Sequence, residues 1–187
     1  MRKNIFLLLV FFVASCIPSR IYKEFDEFEN LRKFKLVQIY NAKKDFSGHK
    51  QIKISYYKNI NQAGESKISA RLLVYSNDEE GKLNKQINIR TGDDIYNVRF
   101  YDYQNNYDAY YEQDYDIEGE YNTINITHNA GENIRHIAYF DISKDIANKI
   151  LTEDILSYRF FIGKEAYTIK LSKYELKQLQ KFILIDF

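Results

Sequence analysis

The chain has 187 residues, of which 27 are basic and 26 acidic, so its formal charge at pH 7 is +1. This near-neutral balance argues against nucleic acid as a partner, because phosphate binding relies on a clustered excess of Lys and Arg. The single cysteine excludes an internal disulfide. A chain of this length can nevertheless bury enough apolar surface to fold as one domain without disulfides.

The N-terminus has the layout of a secretory signal peptide. Residues 1–4 form a short cationic lead, and residues 5–13 form an unbroken apolar run, as in signal peptides. A helix of this length spans about 14 Å, which is roughly half of the hydrocarbon layer of a bilayer. The run therefore predicts export of the chain and argues against a permanent transmembrane helix.

The apolar run ends in Val13-Ala14-Ser15-Cys16. This tetrapeptide resembles the lipobox of bacterial lipoproteins, in which an apolar residue and two small ones precede a cysteine; the family prefers Leu where this chain has Val13. The resemblance implies that residues 1–15 are removed and that a lipid on Cys16 anchors the protein in the bacterial cell envelope, at the outer membrane, the cell surface or the periplasmic face. An ordinary secretory signal is the alternative, but it leaves Cys16 as a lone thiol in an oxidising compartment.

The mature chain implied by this cleavage starts at Cys16. Loss of Arg2 and Lys3, with no acidic residue in the leader, changes the formal charge from +1 to −1. The composition is rich in Tyr, Ile, Asn and Lys and resembles that of proteins from AT-rich bacteria such as spirochaetes.

The first segment of the mature chain, residues 16–33, lacks the Gly and Ser content of a flexible tether. Ile21, Phe25, Phe28 and Leu31 recur at helical spacing, which predicts a short amphipathic helix. This helix either packs on the domain or lies in the membrane interface, although basic residues are not concentrated on its polar face.

Residues 34–187 are predicted to form a single β-rich globular domain. Apolar and polar residues alternate in many short runs, which is typical of half-buried antiparallel strands. The turn-forming clusters 76–81 and 129–133 separate some of these runs. We therefore expect an antiparallel β-sandwich or bent sheet with accessory helices, an α+β fold. The predicted strands are residues 51–56, 67–75, 85–90, 95–103, 121–128 and 134–142.

The C-terminal third predicts a helix-hairpin-helix unit. Residues 144–151 have an apolar helical face with Ser143 as the cap. Two strands follow, at residues 155–162 and 166–171, and a short hairpin turn that contains Gly163 joins them. Ser172 and Glu175 then have the spacing of a capping box that opens a second helix.

The sequence offers few residues or motifs that indicate catalysis. The sequence contains no nucleophile elbow, zinc-protease, phosphate-loop or dinucleotide-binding motif, and no cofactor is indicated. The candidate metal ligands are His128 and His136, because a hairpin turning at residues 129–133 would make them diagonal neighbours on one face. A zinc site needs a third or fourth ligand, which the spacing does not supply, so two unrelated histidines are the simpler interpretation.

The most unusual segment is residues 93–121, which contain nine carboxylates against one basic residue, Arg99, and eight of the seventeen tyrosines. Tyrosine offers binding surfaces a large rigid contact area with a polar tip. Three interpretations stay open: a surface that binds a protein or glycan partner, a calcium site, and a solvated hairpin whose charges prevent aggregation. The candidate partner-binding residues are Tyr101, Tyr103, Tyr107, Tyr110, Tyr111 and Tyr115.

Three functions compete at this point. The favoured hypothesis is a non-enzymatic envelope lipoprotein that binds a protein or glycan. The alternative is a periplasmic structural or assembly accessory of an envelope complex, and the third is a hydrolase. The sequence indicates no oligomeric state.

Overall fold

The computed structural model describes residues 21–44, 49–77, 81–118 and 123–185, and side chains within 21–42, 51–76, 81–104, 106 and 134–185. The strands are β1 (Ile21–Asp26), β2 (Leu31–Lys44), β3 (His49–Ile60), β4 (Ser66–Asn77), β5 (Gln86–Thr91), β6 (Asp94–Arg99), β7 (Asp102–Glu118), β8 (Thr123–Ile142), β9 (Leu156–Ile162) and β10 (Glu165–Lys170). The helices are α1 (Lys144–Thr152) and α2 (Lys173–Ile183). The predicted class, mainly β with accessory helices, is confirmed.

The strands of the described chain follow one antiparallel path. Its order is β6-β5-β9-β10-β2-β3-β4-β8-β7, and β1 pairs with β2 outside this path. Every pairing is antiparallel. Strands β6 and β7 are consecutive in the chain and yet lie at opposite ends of the order.

The sheet bends so strongly that these two ends approach each other. The backbone N–H of Phe100 donates to the carbonyl of Lys85 at 3.0 Å, and that of Tyr101 donates to the carbonyl of Tyr139 in β8 at 3.0 Å. The ring centroids of Phe100 and Phe140 are 6.0 Å apart. Two residues between β6 and β7 therefore join the two ends of the sheet.

The apolar core fills the space inside this bend. Phe140 of β8 and Tyr158 of β9 are fully buried, and their ring centroids are 6.5 Å apart. Tyr56 of β3 contacts Phe182 of α2 at 6.4 Å between centroids. Side chains from β3, β8, β9 and α2 thus belong to one hydrophobic cluster.

Alternation of burial fixes the register of the central strands. In β3, Ile52, Ile54 and Tyr56 are fully buried, whereas Lys53 and Tyr57 are partly exposed. Successive side chains of a strand point to opposite faces, so a slip of one residue would exchange the apolar set for the polar one. The period-two pattern of the sequence predicted this alternation.

Both helices begin at a serine cap. Ser143 Oγ accepts a hydrogen bond from the backbone N–H of Ile146 at 3.3 Å. Ser172 Oγ accepts from the N–H of Glu175 at 3.3 Å, and the Glu175 carboxylate accepts from the N–H of Ser172 at 2.6 Å. The predicted capping box at Ser172 is therefore confirmed.

Removal of this cap gives a direct test of its contribution. Ser172→Ala is expected to lower the free energy of unfolding by about 1 kcal/mol, because the N–H of Glu175 loses its partner at the start of α2. Urea denaturation measures the change, and Ser157→Ala in β9 is the control. An effect at Ser172 no larger than at Ser157 would argue against the cap.

The C-terminal hairpin is part of the main sheet. Strands β9 and β10 pair with each other around Gly163, which has a positive φ of 56°, but β9 also pairs with β5 and β10 with β2. The hairpin is thus an interior part of the sheet, and the two helices flank it in the chain.

The amphipathic helix predicted in residues 16–33 is wrong over the part that the structure describes. Residues 21–26 form β1, and β2 begins at Leu31. Asp26 Oδ1 accepts from the N–H groups of Phe28 and Glu29 at 3.0 and 3.1 Å, which fixes a turn where the helix was expected. The predicted domain boundary after residue 33 falls inside β2.

Two further strand predictions are corrected. Residues 95–103 are not one strand, because the chain leaves β6 at Phe100 and enters β7 at the other end of the sheet. Residues 129–133 are not a turn, because they continue β8 opposite β7, with Asn129 beside Glu112 and Gly131 beside Tyr110. Backbone pairing overrides the turn preference of Asn and Gly here.

Candidate functional site

The far halves of β7 and β8 form a two-stranded ribbon, which we define as residues 109–118 paired with residues 123–132. Strand β4 pairs with β8 only as far as Asn77 opposite Asn133. Within the described chain, the ribbon strands therefore pair only with each other. At about 3.3 Å per residue the ribbon is about 33 Å long.

The sequence of β7 separates tyrosines from acids by position. From 102 to 118, all six carboxylates stand at even positions: Asp102, Asp108, Glu112, Asp114, Asp116 and Glu118. Four of the five tyrosines stand at odd positions: Tyr103, Tyr107, Tyr111 and Tyr115. Because alternate residues of a strand share a face, this spacing predicts an acidic face and a tyrosine face on the ribbon, with position 110 falling on the acidic one.

Among the six candidate tyrosines, the side chains of Tyr101 and Tyr103 are described, and they differ in exposure. Tyr101 is 59% exposed, packs against Tyr139 at 6.2 Å between centroids, and has Lys67 Nζ 5.7 Å from its ring centre. Tyr103 is half-buried and stacks on His136. Tyr101 thus offers an accessible surface, whereas Tyr103 has a structural contact.

The other four candidates lie on β7, but their side chains are outside the described ones. Tyr110 and Tyr111 stand in the ribbon opposite Gly131 and Ala130, and Tyr115 stands opposite Ile126. Tyr107 stands just before the ribbon, opposite Ile134. A surface shared by the odd-numbered positions 107, 111 and 115 remains a prediction, and position 110 falls on the other face of the strand.

The nine carboxylates of residues 93–121 do not form one cluster. Asp93 and Asp94 lie at the turn between β5 and β6, where Asp94 forms a 2.8 Å ion pair with Lys149 of α1. The others on described strands belong to β7, at the opposite end of the sheet order. Among residues with described side chains, no group of three or more possible metal ligands occurs.

The hairpin that was predicted to join His128 and His136 is wrong. Both residues lie on β8, and they pair with Gln113 and Asn105 of β7 respectively. Eight residues along one strand separate them by about 26 Å. A shared metal ion is therefore excluded by the backbone.

His136 instead lies in a buried polar cluster at the base of the ribbon. Its Nε2 is 2.6 Å from Ser76 Oγ, and its Nδ1 is 3.1 Å from the hydroxyl of Tyr103. The Ser-His contact has the geometry of an activated hydroxyl, but both residues are buried, so a substrate has no access to it. The cluster links β4, β7 and β8 where the ribbon begins.

A second polar cluster crosses the core. The hydroxyls of Tyr40 and Tyr56 are 3.0 Å apart, and that of Tyr56 donates to Tyr158 at 3.1 Å. Tyr40 also donates to Gln38 Oε1, while Gln38 Nε2 donates to the carbonyl of Glu175 at 2.9 Å. Burial raises the pKa of the three hydroxyls well above its ordinary value, so all three stay neutral.

This cluster predicts a loss of stability in alkali. The folded state binds the phenol protons more tightly than the unfolded state, so protonated tyrosines contribute to the free energy of unfolding. This contribution is complete below the unfolded pKa of about 10 and declines as the pH rises above it. Above that pH, each tyrosine lowers the free energy of unfolding by about 1.4 kcal/mol per pH unit. Urea unfolding from pH 8 to 11.5 measures it: Tyr56→Phe should reduce the slope, and Tyr174→Phe, on an exposed tyrosine, should leave it unchanged. Equal slopes in all three proteins would contradict the prediction.

One cleft lies beside α2. Asp154, Lys173, Leu176, Lys177 and Gln180 line it. It holds a single carboxylate and no histidine, and Gln180 Nε2 is already engaged with the carbonyls of Ile150 and Glu153 at 2.9 and 3.1 Å. This lining contains no nucleophile-base pair of the kind that hydrolysis requires.

Sequence reasoning missed Ser76 and the tyrosine cluster. The Ser76–His136 contact depends on the β4–β8 register, which no local pattern reveals. Tyr40 and Tyr56 did carry a signal, since both stand at buried positions of alternating strands.

No helix in the described ranges is long and apolar enough to cross a membrane.

Comparison with known proteins gives no relative: no family model, no curated protein and no solved structure matches the chain. The class that the fold defines is a mainly β protein with two accessory helices within the described ranges, and the candidate site is the ribbon.

Proposed function

We propose that this protein is a lipid-anchored lipoprotein of the bacterial cell envelope, and that it acts as a non-enzymatic module binding a protein or glycan partner. The module is a bent antiparallel sheet of the sandwich type with a C-terminal helix-hairpin-helix segment. Cys16 is its anchor, and the ribbon is its binding surface.

The ribbon is the observation that carries this proposal. The two strands of the ribbon extend for about 33 Å. Within the described chain they pair with no other strand. Its sequence is rich in tyrosine, which provides rigid contact area at low entropic cost. Like charges on the acidic face also oppose edge-to-edge aggregation, so the ribbon can stay soluble until a partner binds.

Crosslinking in cells tests the ribbon directly. A photo-reactive residue in place of Tyr111 or Tyr115 is expected to give a discrete adduct, since these positions share the tyrosine face. The control position is Asn148, which is exposed on α1. Adducts of equal yield at Asn148, or none at the ribbon positions, would remove the basis for a binding surface there.

Loss of the anchor is expected to release the protein. Cys16→Ser should abolish incorporation of a radiolabelled fatty acid and move the mature chain from the membrane fraction to the soluble fraction, because two or three acyl chains provide lasting attachment. Normal labelling of the Cys16→Ser protein would contradict lipidation at this residue.

Surface proteolysis separates the main hypothesis from the alternative. A protease added to intact cells should shorten a chain displayed on the surface and leave a periplasmic assembly accessory intact. The hydrolase hypothesis has no supporting site among the described side chains, because its two histidines are far apart and the cleft beside α2 lacks catalytic groups.

A further inference from the structure

Strand β7 is the last strand of the sheet order, and one of its two edges has no partner strand within the described ranges. It pairs with β8 alone, from Asp102 opposite Tyr139 to Glu118 opposite Thr123. In an edge strand every second residue directs its N–H and C=O away from the neighbouring strand, so about eight residues of β7 have backbone groups without a strand partner there. We call this side of the strand the β7 edge.

The base of the β7 edge is open in the described chain. Asp102 and Gln104 are both exposed. Strand β6, which precedes β7, pairs with β5 instead. The chain between β6 and β7 is joined to β8 by the hydrogen bond from the N–H of Tyr101 to the carbonyl of Tyr139. The described elements nearest in sequence therefore leave this edge uncovered.

The β7 edge lacks the features that usually protect an edge strand. Natural edges are short, are interrupted by bulges, or carry Lys or Pro. Strand β7 has 17 residues, whereas β1 and β6, which also have a single partner among the described strands, have six each. Its register with β8 runs from residue 102 to residue 118 without a bulge, and its sequence contains no Lys, Arg or Pro. The edge is thus a long, regular template for another strand.

The two faces beside this edge differ in composition by position. The acidic even positions of β7 stand opposite polar positions of β8, as Asp114 does opposite Thr127. The odd positions stand opposite apolar ones, as Tyr111 does opposite Ala130 and Ile117 opposite Ile124. Because paired residues of neighbouring strands share a face, a strand added to β7 would place its residues alternately beside acidic and beside aromatic or aliphatic positions.

We propose that the β7 edge binds an extended segment of a partner protein by strand addition, and that this segment alternates Lys or Arg with apolar residues. Backbone hydrogen bonds to the edge supply affinity, and the alternating side chains supply specificity. The inference rests on the proposed function of the ribbon. It makes the partner a protein rather than a glycan, and gives its mode of binding.

A second copy of β7 is the competing occupant, and its sequence suits the edge less well. If even positions of one copy paired with even positions of the other, carboxylates would stand opposite carboxylates, which is destabilising. If even positions paired with odd ones, the acidic positions would lie beside tyrosines and no ion pair would form. A segment with alternating basic and apolar residues matches both faces at once, so the partner segment is favoured.

Two synthetic peptides test the binding mode on the chain that begins at residue 16 with Cys16→Ser, which retains all described residues. One peptide has ten residues that alternate Lys and Val, and the other has the same composition as five Lys followed by five Val. The alternating peptide is expected to bind at least tenfold more tightly in calorimetric titration at about 0.1 M salt, because it alone places every base on the acidic face. Charge attraction without strand pairing would bind both peptides equally.

Hydrogen exchange followed by NMR identifies the edge that the alternating peptide occupies. Every second amide of β7 should exchange at least tenfold more slowly when the peptide is bound, because those N–H groups gain acceptors. The amides that already donate to β8 should change little. A ligand on a face of the ribbon would not produce this alternation. The sequence of the folded domain is unaltered here, so the result does not depend on whether a variant folds.

A charge variant tests the selection of a basic partner. E112Q/D114N/D116N should bind the alternating peptide about tenfold more weakly, since each cross-strand ion pair contributes about two- to threefold. The matched control is E27Q/D93N/D154N, which removes the same three charges from exposed positions outside β7 and should change binding less than twofold. Equal losses in the two variants would contradict the proposed pairing.

Three other results would overturn the proposal: equal binding of the two peptides, no alternating protection along β7, or protection of the same amides by raising the protein concentration without peptide. The last result would assign the edge to a second copy. Crosslinked adducts from positions 111 and 115 in cells, with no protection of the β7 edge by the peptide, would leave the ribbon as a binding surface and exclude strand addition alone. Edge protection without adducts in cells would instead count against the proposed function.

Discussion

Replacement of Phe140 by alanine is expected to lower the free energy of unfolding by about 3–5 kcal/mol. The ring is fully buried and lies between Phe100, at the junction of the two sheet ends, and Tyr158 of β9. Its removal takes apolar surface out of the core and leaves a cavity lined by parts of the chain that are far apart in sequence. The neighbouring rings cannot fill this cavity without moving the junction.

Chemical denaturation with circular dichroism and fluorescence measures this change. Tyr139→Ala is the matched control, because Tyr139 is the adjacent residue of β8, points to the opposite face of the strand and is partly exposed. We expect its effect to be less than half of that at Phe140. If both substitutions cost the same, the ends of the sheet do not enclose Phe140 as the structure has it.

Lys58→Met is expected to destabilise the protein by about 2–4 kcal/mol, chiefly by releasing α2. The side chain is 2% exposed, and its ammonium group donates to the carbonyls of Ile183 and Ile185 at 2.6 Å each. The carbonyl of Ile183 belongs to the last residue of α2, and that of Ile185 lies just beyond it. The last carbonyls of a helix lack partners within the helix, and a cation there also interacts favourably with the negative end of the helix dipole. Methionine fills similar volume but leaves both carbonyls without this donor.

Hydrogen exchange distinguishes local release of α2 from general destabilisation. In Lys58→Met, the amides of Leu176 and Leu179 should lose protection before those of β3 and β4. Lys53→Met, on the same strand but on the face opposite to that of Lys58, should leave α2 protected. A uniform loss of protection over the whole sheet would show that Lys58 does not act through α2.

Local patterns in the sequence predicted the elements that local physics determines. Alternating apolar residues identified β3, β4 and the second half of β8, and the Ser172–Glu175 spacing identified the start of α2. These features depend on neighbours within a few residues along the chain. The class of the fold follows from them.

Long-range pairing determined what local patterns could not. Residues 129–133 have the composition of a turn, and only their alignment with β7 makes them strand. Ile21 and Phe25 have helical spacing, but pairing of β1 with β2 decides their conformation. The proposed site shows the same division: the tyrosine and acid content of β7 is visible in sequence, whereas the ribbon and the Ser76–His136 contact require the register of three strands.

The sheet order has a consequence for the timing of folding. Tyr167 of β10 pairs with Lys44 of β2, more than 100 residues earlier in the chain, and β9 must insert beside β5 before the two ends can meet. Pairings at such sequence separation form slowly, because a long loop must close first. The domain is therefore expected to remain unfolded until β9 and β10 are available, a delay that would suit the export proposed above.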